Sequence, residues 1–446
     1  MSNFKFKIMK NMRFPFLLLM IFIVASCAKD QWFDPPDHRY GDASPHNLIC
    51  PQIKIAVVSD IHYMHPSLLC EDILNHPDFQ AVVSADRKLF ELSDPIFRRV
   101  ISELVAEKPD ILLITGDLAR EGEEVNHQTV KSLLRWLEKK GTKIFIVPGN
   151  NDINNPDAKT FSTIPASTVP NVTPEEFVSI YGDFGYNDAL YKDANSLSYI
   201  NQPFKKLKLW ILGIDAIKAF NPGTMAWIQE KMAEASKKKI TVLAMMHYGI
   251  IEHYTGQKNI EPLIKSSKDN AIALMKAGIR LIFTGHYHAN DIVEFTNDGK
   301  TLYDIQTGSL VTPPYSYRIM TLDDNFIKID SRRVTNVRSR ITGDMSFLKY
   351  SDVTLTSRIN SFFTFYSSYV QKVYGIPPEQ YEQYQTVVPY LTKAYKAYFA
   401  GDEKIDTEEK ENIDVLGQSL PVYLPLLDAF WTDLPPRDNK IHIQLK

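Results

Sequence analysis

The sequence predicts a layered α/β region over residues 53–335, followed by a mainly helical C-terminal domain over residues 336–446. Three observations carry that prediction. From residue 53 onward, short apolar β-branched runs alternate with segments of helical spacing, the pattern of a layered α/β fold. After residue 290 the pattern is all strand, punctuated by the hairpin signals Asn297-Asp298-Gly299 and Asp323-Asp324-Asn325. After about residue 335 apolar and aromatic residues recur every three to four positions. With 446 residues the chain is too long for one ordinary core, so two domains are expected.

Residues 1–26 stand apart from the fold. Lys5, Lys7, Lys10 and Arg13 form a basic start, and residues 14–24 are apolar except for Pro15. That run is short for a membrane span and suits the core of a signal peptide. It ends in Val24-Ala25-Ser26-Cys27, which resembles a bacterial lipobox. The resemblance implies cleavage before Cys27 and lipid on that cysteine, and hence an outer-membrane lipoprotein of the cell envelope facing the periplasm or the cell surface; a plain secretory signal is the alternative. Each buried lipid CH2 contributes about 0.8 kcal/mol, so several chains on one cysteine anchor firmly. Residues 27–52, with Pro35, Pro36 and Pro45, read as a tether.

Loss of the leader, which holds four basic residues and no acid, takes the net charge from −3 to −7. Non-specific nucleic-acid binding rests on basic surface, so none is expected. Cys50 and Cys70 remain; an oxidising compartment permits a disulfide between them, and two free thiols are the alternative.

The expected strands are 53–58, 111–114, 144–147, 207–214, 241–246, 279–283, 291–296, 301–306, 315–322 and 325–330. Between them lie helices at 96–107, where Ser93 or Asp94 offers a cap and Pro95 suits the first turn, and at 127–139 and 268–277. Beyond 335, Phe362, Phe363, Phe365, Tyr366, Tyr369 and Tyr374 enrich one segment. A helix after Pro378 carries Tyr381, Tyr384, Val388, Leu391, Tyr395 and Tyr398 on one stripe, and Asp406 with Glu409 forms a capping box for another. The aromatic stripes read as packing surfaces rather than as the lining of a pocket.

Five strands end in side chains that bind metals. They are Asp60-Ile61-His62, Gly116-Asp117, Gly149-Asn150-Asn151-Asp152, His247 and Gly285-His286-Tyr287-His288. In layered α/β folds the loops after strand C-termini converge on one edge. Residues two apart in an extended segment face one side, which would direct Asp60 and His62 to a common ion. Any one of these segments alone reads as a turn or a hydrogen-bonded surface histidine. Together their imidazoles, carboxylates and amides make a ligand set for Mn, Fe or Zn, with no cysteine in it.

The ordered set Asp-x-His, Gly-Asp, Gly-Asn-His-Asp/Glu, His, Gly-His-x-His resembles the signature of the calcineurin-like metallophosphoesterases, over roughly residues 53–332. The resemblance implies two packed β-sheets flanked by helices and two divalent metal ions. By position, Asp60, His62 and His288 would hold the first ion, Asn150, His247 and His286 the second, and Asp117 would bridge them. It also implies hydrolysis of a small-molecule or lipid phosphate ester by a metal-bridging hydroxide, and one departure from the pattern, at Asn151, favours a phosphodiester over a monoester. Asn151 departs from the pattern: the family usually has a histidine there, thought to contact the phosphate and protonate the leaving group, with the next acid, here Asp152, orienting it. An amide cannot supply that proton near neutral pH. His253 and His65 are candidate replacements, and a catalytically weak or metal-free binding lipoprotein on the same fold is the alternative reading. Tyr181–Tyr186 with Ser196–Tyr199, and Met246–His253, resemble a bacterial subset of the family and are expected to shape the pocket.

Overall fold

The computed structural model describes residues 52–445, apart from 85, 260, 262, 324, 366–380 and 420–423. The expected signal peptide, Cys27, Cys50 and the tether up to residue 51 lie outside them, as do Tyr366, Tyr369 and Tyr374.

The strands are β1 Ile53–Val58, β2 Ile111–Ile114, β3 Lys143–Ile146, β4 Lys159–Thr160, β5 Ser167–Thr168, β6 Tyr191–Lys192, β7 Tyr199–Asn201, β8 Leu209–Gly213, β9 Thr241–Met245, β10 Leu281–Thr284, β11 Ile292–Asn297, β12 Lys300–Gln306, β13 Ser316–Leu322, β14 Phe326–Arg333 and β15 Lys440–Gln444. The α-helices are α1 Pro77–Val83, α2 Ser93–Glu107, α3 Glu124–Glu138, α4 Pro174–Ile180, α5 Pro222–Lys238, α6 Ser267–Ala277, α7 Phe347–Phe365, α8 Tyr381–Ala400, α9 Thr407–Ser419 and α10 Leu424–Trp431.

Two large sheets result, ordered β15-β14-β13-β1-β2-β3 and β11-β12-β10-β9-β8-β7-β6. Their side-chain alternation builds the layers. On β8, Leu209 and Ile211 enter the core shared with the first sheet, while Trp210 and Leu212 face a second core with Ile228 and Met232 of α5 and Leu274 of α6. β9 repeats the pattern, with Leu243 and Met245 inward and Ala244 outward. Both faces are covered, which is why these strands read as continuous apolar runs. The outcome is the expected α/β fold, two sheets with helices and a helical C-terminal region. β1, β2 and β3 are parallel, as are β8, β9, β10 and β12. The C-terminal ends of β1, β2, β3, β9 and β10 carry the five candidate motifs.

Some local expectations change. Leu92, not Ser93 or Asp94, is the N-cap of α2. Ser93 Oγ instead takes Met64 N at 2.9 Å and donates to Phe90 O at 2.8 Å, so its capping oxygen is already engaged. Asp406 does cap α9, taking the amide of Glu409 at 2.7 Å, but the Glu409 carboxylate goes to Lys393 Nζ at 2.8 Å, so the box is half formed.

The C-terminal helices share the sandwich core through Leu355, Ile359, Leu391, Tyr395 and Phe430, and β15 pairs with β14 in the first sheet. A buried ion pair fastens α7. Arg358 Nη2 lies 2.9 Å from Glu91 Oε1, its Nη1 donates to Lys88 O at 2.6 Å, and the Tyr350 hydroxyl donates to Glu91 at 3.0 Å. Removing one partner of a buried pair strands the other charge, so Arg358→Ala is expected to cost about 3–5 kcal/mol in urea unfolding. A loss under about 1 kcal/mol would show that Glu91 is solvated or neutral without its partner.

Candidate dinuclear metal centre

Tight turns bring the five strand ends together. The sequence reading paired Asp60 with His62 through an extended backbone; the chain is not extended there. Asp60, His62, Asp117, His286 and His288 all have positive φ, between 41° and 72°. Such conformations cost about 1–3 kcal/mol each in non-glycine residues and persist where the surroundings over-determine them. Here the surroundings are backbone clamps: His62 N donates to Asp117 O at 2.9 Å and His286 N to Asp60 Oδ2 at 3.0 Å. Gly116 (φ 94°) is required by close approach, since a Cβ there would sit 2.6 Å from His247 Nδ1 and 2.8 Å from Gly149 N.

Seven candidate residues converge. Asp60, His62 and His288 each offer one ligand atom within 4.8 Å of the others, and so do Asp60, Asp117 and His247. Asp117 Oδ2 lies between the two clusters, 3.6 Å from His62 Nε2 and 3.4 Å from His247 Nε2. His247 Nε2 is also 3.1 Å from Asn150 Oδ1 and 3.3 Å from His286 Nδ1. Asp60 therefore stands within reach of both clusters.

The donor set fits two cations. His247 Nδ1 faces Thr115 O at 2.8 Å, so its proton belongs there and the Nε2 lone pair faces Asn150 Oδ1 and Asp117 Oδ2. Two acceptors against a lone pair require a positive centre. Without an ion a proton fills that role: burial lowers His247, but the charge and hydrogen bond of Asp117 outweigh it and push it up to about 9. His62 and His288 are held well below the usual range, and His286 at about 3, first by burial. Neutral imidazole is the form that ligates metal. Lys88 adds to the lowering of His62, and Arg87 and Lys88 to that of His288, so positive charge borders the site.

A family model for the calcineurin-like phosphoesterases matches residues 53–290, just over half of the chain. The chain belongs to this family. Calcineurin-like phosphoesterases are phosphoric ester hydrolases that use two divalent metal ions. Among solved structures, a dimetal phosphatase from Danio rerio is 12% identical, covering 63% of this chain and 96% of that one with a TM-score of 0.46. A purple acid phosphatase from yellow lupin is 10% identical, covering 66% and 54%, with a TM-score of 0.42. A putative 5'-nucleotidase from Staphylococcus aureus is 13% identical, covering 68% and 58%, with a TM-score of 0.35. No curated protein matches the chain.

Against the family pattern, Asn151 is the informative residue. Its backbone N–H donates to Asp117 Oδ1 and its Nδ2 to Asp117 Oδ2, both at 2.9 Å, and its Oδ1 accepts from Asn150 Nδ2 at 3.0 Å. The amide lies against the central carboxylate. Asp152 is fully buried and spends both oxygens on backbone amides, Oδ1 on Leu118 and Ala119 and Oδ2 on Gly149. It locks the Asp117 turn to the Asn150 turn. Burial and the charge of Asp117 push it up to about 8 against the amides of Ala119 and Gly149.

The two stand-in histidines are engaged elsewhere. His253 is buried with Nδ1 2.8 Å from Asp291 and Nε2 3.5 Å from Asp304. His65 Nδ1 takes the amide of Ser67 at 3.1 Å. Tyr181, Phe184, Tyr186 and Tyr199 are buried in the core behind β3, where the Tyr199 hydroxyl bonds Ile146 N and O. They do not line a pocket; their rings pack on one another. Tyr248, by contrast, stacks on His286 with centroids 3.7 Å apart. Tyr248 lies in the segment Met246–His253 that the sequence marked out for the pocket; Thr115, which adjoins a motif residue, was not singled out.

It also passed over His127, which braces the Asn151-Asp152 turn from behind. Its ring sits 2.9 Å from Asp152 O and 2.9 Å from the Tyr181 hydroxyl. Burial pushes it down to about 4, so it stays neutral in the fold while the unfolded chain protonates near 6.5. A lowered folded value means this contribution is complete above pH ~6.5 and lost as pH falls towards 4, about 3 kcal/mol in all. The urea midpoint of the native protein should therefore fall more between pH 7 and 4.5 than that of His127→Gln. Parallel pH profiles would refute it.

Proposed function

We propose that this phosphoesterase hydrolyses phosphodiesters in preference to phosphomonoesters, as a lipid-anchored enzyme of the cell envelope. The observation that carries the preference is Asn151, whose amide occupies the position of the family histidine and bonds Asp117. Asp60, His62 and His288 would hold one ion, Asn150, His247 and His286 the other, with Asp117 between them. When bound, two ions supply a nucleophile at neutral pH and offset charge on the phosphoryl oxygens.

The chain's own groups do the rest. Thr115 O and Thr312 Oγ1 fix the ring orientations of His247 and His288 through Nδ1, at 2.8 Å and 2.9 Å. Arg87 and Lys88 favour an anionic substrate. Asn151 Nδ2 donates a hydrogen bond and no proton. A phosphomonoester reacts through a loose transition state that loads charge on the departing oxygen. Without an acid nearby that charge goes unanswered, whereas a diester depends more on the attacking group. Small-molecule and lipid diesters both fit this reading. The anchor rests on the Ala25-Ser26-Cys27 pattern.

The test is the ratio of kcat/KM for bis-p-nitrophenyl phosphate to that for an alkyl phosphomonoester, with p-nitrophenyl phosphate as the control and Mn, Zn or Fe loaded in turn. A ratio above about 10 is expected for the alkyl ester, whose leaving group needs the 10²–10⁴-fold help of a general acid, whereas p-nitrophenyl phosphate, whose leaving group departs unaided, should be disfavoured less. A monoester preference would show that another residue supplies the proton. No turnover of either ester with two metals bound would favour the binding-protein reading. For the anchor, Cys27→Ser should abolish metabolic labelling with palmitate; unchanged labelling overturns it.

A further inference from the structure

We infer that the protein holds a calcium ion between Asp291, Glu403 and Asp438, remote in kind from the dinuclear centre, and that this ion fastens the C-terminal segment to the loop bearing His286 and His288. Asp291 ends that loop just before β11, Glu403 follows α8, and Asp438 precedes β15. One carboxylate oxygen from each lies within 4.8 Å of the other two. Oxygens bound at about 2.3–2.6 Å on opposite sides of Ca²⁺ stand about 5 Å apart, so a single ion can touch all three. The donors are all carboxylate oxygen, with neither imidazole nor thiolate, the choice of a hard cation. The family match ends at residue 290, so these three carboxylates lie outside it.

The second observation is that the oxygens lack donors. Asp438 is 2% exposed; its Oδ1 takes Ile292 N at 2.7 Å, but its buried Oδ2 meets no hydrogen-bond donor among the described residues. That oxygen faces the turn leading to Glu403, since a Cβ on Gly401 would lie 3.0 Å from it. Both Glu403 carboxylate oxygens are buried and find only that residue's own amide. Fully buried Asn290, beside Asp291, also keeps Oδ1 without a donor. Buried polar oxygens are normally satisfied, so a cluster of orphans marks a missing positive partner.

The surrounding charges point the same way. Among the described residues three cations border the cluster: Arg318, His253 and, beside Asp433, Arg437. Arg318 is buried but gives its guanidinium to main-chain oxygens of Asp438, Asp291 and Gln306 and to Ser331 Oγ. His253 stands between Asp291 and Asp304. Against them are Asp291, Asp304, Glu403 and Asp438, with Asp433 nearby. About two negative charges are left over, which a divalent ion neutralises. In its absence burial and mutual repulsion push Asp291 and Asp438 up, Glu403 to about 10 and Asp433 to about 6.

The position gives the ion its effect. Asn290 N already donates to Phe399 O at 3.0 Å, and Asn439 Nδ2 to Ala400 O and Gly401 O at 2.9 and 2.7 Å. The ion closes the same junction from the carboxylate side, three residues from His288.

The experiment titrates Ca²⁺ into the full protein after its dinuclear centre has been loaded with Mn²⁺, reading calcium stoichiometry by calorimetry and stability by thermal melting. One Ca²⁺ per chain and a rise in Tm of at least about 3 °C are expected. Glu403→Gln and Asp438→Asn should each lose both, and Asp117→Ala, which alters only the dinuclear centre, should keep both. If Asp438→Asn does not fold, Glu403→Gln on its turn carries the comparison. No calcium-dependent shift in the native protein overturns the proposal, as does a shift that survives in Glu403→Gln.

Discussion

Asp117→Ala is expected to lower kcat/KM for both p-nitrophenyl esters by at least about 10³-fold, beyond the 10²–10³ typical of a single lost transition-state donor. It should also take the bound metal from two ions per chain to about one. The expectation comes from where Asp117 sits. Its Oδ2 is 3.6 Å from His62 and 3.4 Å from His247, so one carboxylate serves both clusters. Among the described residues no other carboxylate replaces it: Asp60 reaches both clusters, but its Oδ2 already takes the Ser59 hydroxyl at 2.5 Å and His286 N at 3.0 Å. Asp117→Asn, the same shape without the charge, should show most of the loss and separate charge from packing. Metal analysis on the same samples decides the matter. Two ions retained with activity within tenfold of the native protein would remove Asp117 from the bridging role.

The positions of these residues were legible because chemistry follows strand ends. β1 and β2 start and stop where their apolar runs do, at Ile53–Val58 and Ile111–Ile114, and each is followed within three residues by a ligand-type side chain. What was not legible was local geometry. Asp60 and His62 face the same site through left-handed turns, which long-range clamps stabilise: Asp60 N to Gly116 O, Ser309 Oγ to Asp60 O and His62 N to Asp117 O. Spacing two apart pointed to residues that do lie together, but the backbone that brings them there is not extended. α5 was missed because only Thr224, Ile228, Met232 and Ala235 are buried among its residues, a stripe too thin to show a period. The junction of Asp291, Glu403 and Asp438 could not be read at all. Its members are separated by more than 30 residues each and belong to no motif; pairing of β15 with β14 and the turn at Gly401 bring them together. Tertiary pairing of distant segments leaves no local signature.

Asn151→His tests whether the missing acid sets substrate preference. The substitution should raise kcat for alkyl phosphomonoesters, whose leaving groups need a proton, by about 10–100-fold, the lower part of the range for a general acid. Turnover of bis-p-nitrophenyl phosphate, whose leaving group departs unaided, should change by less than about threefold. The site tolerates the change in one respect that can be stated: the bond from residue 151 to Asp117 Oδ1 is made by the main-chain amide and survives any side chain. The bond from Nδ2 to Asp117 Oδ2 is lost unless an imidazole N–H takes it over. The sign of the pH dependence is fixed by the role. An acid must carry its proton, so the gain should be full below the pKa of the new histidine and disappear as pH rises through it, near ~6.5 if unperturbed. Native enzyme, with an amide at that position, should lack this limb. Equal gains on both substrates would mean that the histidine acts on the metals or on binding, and a loss on both would mean that the Asn151 amide, through Asp117, is itself needed to hold the centre.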